Sequence, residues 1–277
     1  MISYRTTTPT LIDLGQASNA AYLSNDPFPH IVINDFFDPA VLERVRVEAE
    51  AVDPALSYAK FSASKMQKEK FAFLPDVVGE ETNRLVSFLN SGPVLGWLEQ
   101  LTGIQNLLVD PSFFGAGLHR IQAGGFLEVH ADFNHLKRYD LERRINLLLY
   151  LNKAWQPEHN GSLQLWDRRS AVKSIGPVFN RCVIFSTTKS SLHGHPEPFS
   201  PPLGMSRHSI ALYYYTNTWD PTGQALNTQY YVSPDSGAKV RSGRIARDFV
   251  MDLIPPIFRK GARALKRLVN GEKLKEM

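Results

Sequence analysis

A mostly β chain with supporting α-helices is what this sequence predicts, on three observations. From Gly115 to Asn217, short apolar runs recur between Gly, Pro, Asn and Asp, the pattern of an all-β barrel or sandwich. Ahead of these runs lie segments with helix start and stop signals, and behind them, past Trp219, lie a polar connection and a strongly basic tail. The chain therefore divides into an N-terminal strand/helix support region at 1–110, a β core at 111–220, and a polar connection with a basic helical C-terminal tail at 221–277.

Taken in order, residues 1–26 show no clear periodicity and read as an extended lead-in. His30 opens a short strand-like run, and Asp38–Pro39 then starts a helix. The Asp38 carboxylate can accept from the free N–H groups of the first turn. Pro39 sits at the first helical position, where its missing N–H costs nothing. Residues 54–110 read as mixed and mostly helical, clearest at 81–90 and 93–103, with Gly103 as a stop signal. In the core the strongest strands are 146–152, 162–167, 182–186 and 209–216. Gly124–Gly125 has no helix after it, so it reads as a hairpin turn rather than a phosphate cradle.

Composition excludes several classes. A chain of 277 residues, 43% hydrophobic and 21% charged, is an ordinary globular protein of one well-buried domain with appendages or two small ones. A single cysteine, Cys182 in a strand-like run, rules out an internal disulfide and makes a reducing, cytoplasmic setting the default. The N-terminus lacks the basic start and apolar run of a secretory signal, and no stretch reaches the ~18 apolar residues of a membrane span. Residues 239–277 hold 11 Lys and Arg against 4 Asp and Glu, so the net +4 belongs to the tail and the preceding residues carry −3. The core is therefore not expected to bind nucleic acid. Within the tail, Phe258, Ala262, Leu265, Leu268 and Val269 can share one helix side with Arg and Lys opposite. That helix is expected to pack on the body, with contact to an acidic surface or membrane as the other reading.

One set of polar residues stands inside the apolar core runs: His130-Ala-Asp132, then His193, then Arg207-His-Ser209. Oxygen-activating iron(II) is commonly held on one face by two histidines and a carboxylate, leaving positions open for a bidentate 2-oxo acid and oxygen. His130 and Asp132, two apart on a strand, point to the same face. His193 can supply the third ligand from a later strand. The far carboxylate of 2-oxoglutarate needs a planar, permanently charged, bidentate partner, which describes Arg207. Ser209 shares the strand face of Arg207 and can donate to the same carboxylate. A His-x-Asp pair alone is usually incidental, and a lone arginine is usually a surface residue. The order of the whole set is what raises the functional reading above the bland one.

The core runs also resemble a known family. Residues 118–155 (LHRIQAGGFLEVHADFNHLKRYDLERRINLLLYLNKAW), 160–167 (NGSLQLWD), 180–186 (NRCVIFS), 192–199 (LHGHPEPF) and 207–216 (RHSIALYYYT) are similar to prolyl-4-hydroxylase-like 2-oxoglutarate/iron(II)-dependent oxygenases. The likeness extends through most of 27–219, including the phrases at 26–45 and 89–104. It implies a double-stranded β-helix (jelly-roll) core. It implies His130, Asp132 and His193 as metal ligands, Arg207 as the 2-oxoglutarate anchor, and Tyr150 against the co-substrate carboxylate. The implied reaction hydroxylates an unactivated C–H bond, with a prolyl residue as first substrate, using Fe(II), 2-oxoglutarate and O2, with ascorbate as an accessory reductant. Relatives that halogenate usually replace the carboxylate ligand, so Asp132 favours hydroxylation.

Several neighbours carry competing readings. His195 is the rival third ligand, and the family phrasing prefers His193, leaving His195 to pack at the rim. His135 reads as a solvated histidine in a loop over the pocket, with substrate contact as the sharper reading. Arg120 divides evenly between structural and co-substrate roles. Trp155, Trp166 and Trp219 read as packing. Non-oxygenase alternatives are a cupin-type metal isomerase, which favours His-x-His with a later Glu and His, and a sugar- or partner-binding jelly roll. The substrate itself, peptidyl or small molecule, is not named by the residues.

Overall fold

A computed structural model describes residues 1–61 and 66–231, and the expected basic tail helix lies outside the described residues. The N-terminal region comprises α1 (Thr8–Ser24), β1 (His30–Ile33), α2 (Pro39–Ala51), β2 (Ala59–Phe61), β3 (Gln67–Phe73), α3 (Pro75–Val78), α4 (Glu80–Leu89), α5 (Gly92–Thr102) and β4 (Leu108–Val109). Then come β5 (Gly117–Ala131), β6 (His135–Leu136), β7 (Leu141–Tyr150), β8 (Leu163–Trp166) and β9 (Ala171–Ile175). The last are β10 (Cys182–Ser186), β11 (Leu192–His195), β12 (Arg207–Thr216) and β13 (Gln229–Tyr230). The strands follow the order β1–β10–β7–β12–β5–β11–β8–β9, with antiparallel pairing.

Strand β5 joins the two walls of this curled sheet. Its first half pairs β12, with Ile121 opposite Arg207, and its second half pairs β11, with His130 opposite His193. Between the halves, Gly124 adopts φ +76° and the strand changes direction without ending, so the expected hairpin turn is not formed. Glycine is needed at 125 by close approach: a Cβ there would lie 2.9 Å from the Lys68 carbonyl oxygen. The architecture is a double-stranded β-helix with helices packed on one side.

Alternation along the strands sorts the core. Leu147 and Leu149 of β7, Cys182 and Ile184 of β10, and Ile210, Leu212 and Tyr214 of β12 face the helices. There they pack in one cluster with Leu11, Leu42, Val45, Leu85, Trp97 and Leu101. The alternate residues Tyr150, Val183 and Phe185 face inward with Phe28, Leu163 and Leu165. Each such burial contributes roughly 1.5–3 kcal/mol, so the helical layer is bonded to the outer face by bulk apolar contact. The inner face is left free for polar side chains.

The extended lead-in is instead the helix α1. Thr7 caps it by accepting from the Thr10 N–H, and Gly15 sits so close to α5 that a Cβ would lie 2.6 Å from the Trp97 carbonyl oxygen. Docking through a small residue leaves no wide apolar stripe to be read in the sequence. The signals at α2 and α5 act as expected: Asp38 accepts from the Ala40 N–H at 2.9 Å, and Gly103 closes α5 at φ +74°. Two other segments differ from expectation. The mostly helical reading of 54–110 gives way at β2 and β3, and β3 pairs β5. The polar connection after Trp219 contains β13, which pairs β5 at His130 and Ala131. Among the described residues no helix is long and apolar enough to cross a membrane.

Candidate metal and co-substrate site

The pairing of β5 with β11 makes His130 and His193 direct cross-strand partners, with ring centroids 4.5 Å apart. Asp132 follows just past the end of β5, its Oδ1 3.6 Å from His130 Nε2 and its Oδ2 3.5 Å from His193 Nε2. One ligating atom from each of the three residues lies within 4.8 Å of the others. Both imidazoles are oriented from behind: Nδ1 lies 2.8 Å from the Glu128 carbonyl in His130 and 3.0 Å from the Ser191 carbonyl in His193. Donation from Nδ1–H leaves the Nε2 lone pair facing inward, as a metal requires. Burial, reinforced by His130, lowers the pKa of His193 to about 4, so its ring is neutral at pH 7.

Asp132 is held ionised by groups the sequence did not single out. Asn146 Nδ2 donates to its Oδ2 at 2.8 Å, and Arg143 Nη2 lies 3.0 Å from the same oxygen. Burial opposes the charge, but Arg143, then His193 and His130, hold the carboxyl well below its usual range. Arg143 is itself anchored by Asn146 Oδ1 and by the Tyr213 ring, 3.5 Å from its Cζ. The donor set thus fits a divalent cation: two imidazoles with Nε2 turned inward and one carboxylate on one side of a cavity.

That cavity is a cleft whose walls include His130, Asp132, His193, His195, Arg207 and Ser209. Arg207 is buried, and its Nε donates to the Gly161 carbonyl at 2.8 Å. Asn160 and Gly161 both have positive φ, and this turn brings the carbonyl under the guanidinium. Tyr150 lies beside it, with its hydroxyl 3.5 Å from Arg207 Nη2 and its ring 5.0 Å from Cζ. Ser209 is the cross-strand partner of Tyr150 on β12. Arg207, Ser209 and Tyr150 thus gather on one wall, and a buried guanidinium there is suited to a carboxylate ligand.

Two expectations are corrected, and the even reading of Arg120 is decided. His195 is not at the rim: it is 3% exposed and lines the cleft, and among the described residues its Nδ1 has no hydrogen-bond partner, yet it lies outside the three-residue cluster. His135 is not solvated: it stacks on Trp219 at 3.9 Å and bonds Asp140 at 2.9 Å. Arg120 takes the structural role, donating to the Ala49 and Val52 carbonyls at the end of α2 and to His208 Nε2. Its parity with Leu118, which packs against the helical layer, was the available signal. Lys70 of β3 also lines the cleft and was not anticipated.

Residues 116–215 match the model of the 2OG-Fe(II) oxygenase superfamily. Among solved structures, a Trichoplax adhaerens prolyl hydroxylase in complex with a hypoxia inducible factor peptide fragment superposes with TM-score 0.54 at 19% identity, covering 76% of this chain and 94% of that one. A Pseudomonas putida prolyl-4-hydroxylase gives 0.51 at 16% identity, covering 75% and 100%. HygX from Streptomyces hygroscopicus, with nickel, 2-oxoglutarate and hygromycin B bound, gives 0.47 at 10% identity, covering 76% and 95%. No curated protein sequence matches the chain. The likeness to the 2OG-Fe(II) oxygenase superfamily thus covers residues 116–215, the strands that carry the site, and the two prolyl hydroxylase structures share the fold. The description of the matched superfamily names 2-oxoglutarate and iron(II), and the His130, Asp132 and His193 donor set beside the buried Arg207 is chemically suited to both.

Proposed function

We propose that the chain hydroxylates an unactivated C–H bond, with a prolyl residue as the first candidate substrate. In this reading His130, Asp132 and His193 hold iron(II), and Arg207, with Ser209 and Tyr150, holds the distal carboxylate of 2-oxoglutarate. The observation that carries it is the convergence of three ligand atoms within 4.8 Å, in the same cleft as a buried arginine. When bound, iron(II) with 2-oxoglutarate and O2 supplies the oxidising chemistry that turns C–H into C–OH and leaves succinate and CO2.

The chain's own residues prepare that chemistry. Glu128 and Ser191 carbonyls fix the imidazole tautomers. Arg143 and Asn146 keep Asp132 deprotonated and aimed. Leu148 and Leu163 line the same cleft as Arg207 and Ser209, and apolar walls strengthen a guanidinium–carboxylate pair. The prolyl assignment draws on the phrases shared with prolyl-4-hydroxylase-like oxygenases and on the activities named for the Trichoplax and Pseudomonas proteins. A reducing, cytoplasmic setting suits iron(II) and the single buried Cys182.

The test is succinate release from 2-oxoglutarate with iron(II) and ascorbate. The wild-type chain is expected to release succinate, and Asp132→Ala to release none. Near-normal hydroxylation by Asp132→Ala would remove the ligand assignment.

A further inference from the structure

We propose that Lys70 binds a carboxylate of the substrate, so that the carbon to be oxidised belongs to an acidic molecule or an acidic segment of peptide. The proposal rests on the oxygenase reading above and specifies its substrate class.

The placement begins with a bulge. Register between β3 and β5 shifts between Lys68 and Lys70, and the intervening Glu69 has φ +47°. An extra residue re-aims the strand, so Gln67 and Lys70, three apart, both line the cleft. Ala72 continues that face, while Phe71 and Phe73 turn to the helix-side core. Lys68 is exposed, as a lysine on a sheet usually is.

Lys70 stands in register with the co-substrate wall. Ile121 is the cross-strand partner of Lys70 on one side and of Arg207 on the other. All three line the cleft, so the Cα atoms of Lys70 and Arg207 flank that of Ile121 two strand spacings apart, roughly 10 Å. That separation lets Arg207 and Lys70 hold different carboxylates at once.

Charge balance asks for a second anion. In the loaded site, iron(II) cancels the two charges of 2-oxoglutarate, and Asp132 cancels one arginine. Two positive charges then remain among Arg143, Arg207 and Lys70. Arg143 is already fastened to Asp132, Asn146 and Tyr213. Among the described residues the Lys70 ammonium has no ion pair or hydrogen bond, only the Phe61 ring 5.9 Å from Nζ. Burial lowers its pKa to about 8; Asp132 works against that shift, while Arg207 and Arg143 add to it. A cation kept in such a cavity without a protein partner is suited to an anionic ligand.

The test uses the full chain loaded with manganese(II) and 2-oxoglutarate without oxygen, and two pairs of probes that differ only in charge. One pair is L-proline and L-prolinamide, and the other is N-acetyl-Pro-Asp-amide and N-acetyl-Pro-Asn-amide. Calorimetry is expected to give tighter binding of the acid in one pair, which also tells a free amino acid from an acidic peptide. Lys70→Met should weaken that acid by about 10- to 100-fold, while Lys70→Arg retains part of the preference. The Kd of 2-oxoglutarate should stay within about twofold in both variants, which also reports that the cleft is intact. Three results overturn the proposal: no acid preference in either pair, a preference that survives Lys70→Met, or a loss that falls on 2-oxoglutarate instead. If wild-type chain releases succinate from 2-oxoglutarate yet shows one of these, the oxygenase reading stands and only the Lys70 assignment fails. If it binds no 2-oxoglutarate and releases no succinate, the broader reading fails.

Discussion

At the scale of the residue, the site depends on groups that hold other groups. His130 and His193 present Nε2 because backbone carbonyls occupy Nδ1, whereas His195 Nδ1 has no such partner. The two histidines of β11 are therefore expected to separate cleanly. His193→Ala should weaken manganese(II) or iron(II) binding by more than about 100-fold, beyond the usual cost of losing a supporting partner. His195→Ala should leave metal affinity within about threefold. Titration of each variant with manganese(II), followed by electron paramagnetic resonance, checks this; loss of metal in His195→Ala alone would reverse the assignment. The His130–Asp132 spacing was legible because two residues on a strand share a face. Arg143 and Asn146 were not, since nothing in a linear reading brings them to one Asp132 oxygen.

At the scale of the element, alternation does most of the sorting and breaks in it carry the rest. On β12 the period of two sends Arg207 and Ser209 inward and Ile210 and Leu212 toward the helices. The same period would have placed Arg120 and His208 outside the cleft. The bulge at Glu69 and the bend at Gly124–Gly125 have no such period, which is why Lys70 escaped notice and a turn was expected where the strand continues. Helix capping also crosses elements. Glu48 of α2 accepts the first free N–H groups of α4, from Glu81 and Thr82, and the Thr82 hydroxyl. Glu48→Ala leaves those donors unpaired, so it should destabilise the fold by about 1–3 kcal/mol. In thermal unfolding that is a fall in Tm of roughly 3–10 °C, and an unchanged Tm would show that water replaces the carboxylate.

At the scale of the whole molecule, the helical layer and the cleft lie on opposite faces of the same strands. The outer face is apolar contact between α1, α2, α4, α5 and the sheet, so the inner face can hold buried charge without serving as the main core. Ligands that bind the folded state and not the unfolded chain add directly to stability. Manganese(II) and 2-oxoglutarate, each at about 100 times its Kd, should each add about 2.7 kcal/mol, and each raise Tm by roughly 5–10 °C for a chain of this size. Arg207→Ala should remove the 2-oxoglutarate part of that rise and keep the metal part. A full response in Arg207→Ala would mean that the co-substrate is anchored elsewhere, with Lys70 the first group to examine.

The sequence by itself determined the β core, the helix starts at Asp38 and stop at Gly103, and the set His130, Asp132, His193 and Arg207 as chemically matched groups. Those signals are local: strand period, capping chemistry and the identity of side chains in order. Only the tertiary structure decided which groups stand behind Asp132, that His195 and Lys70 line the cleft, and that Arg120 does not. These depend on which strands lie side by side and where a bulge shifts their register. Such contacts join residues far apart in the chain and leave no mark on the spacing of neighbours.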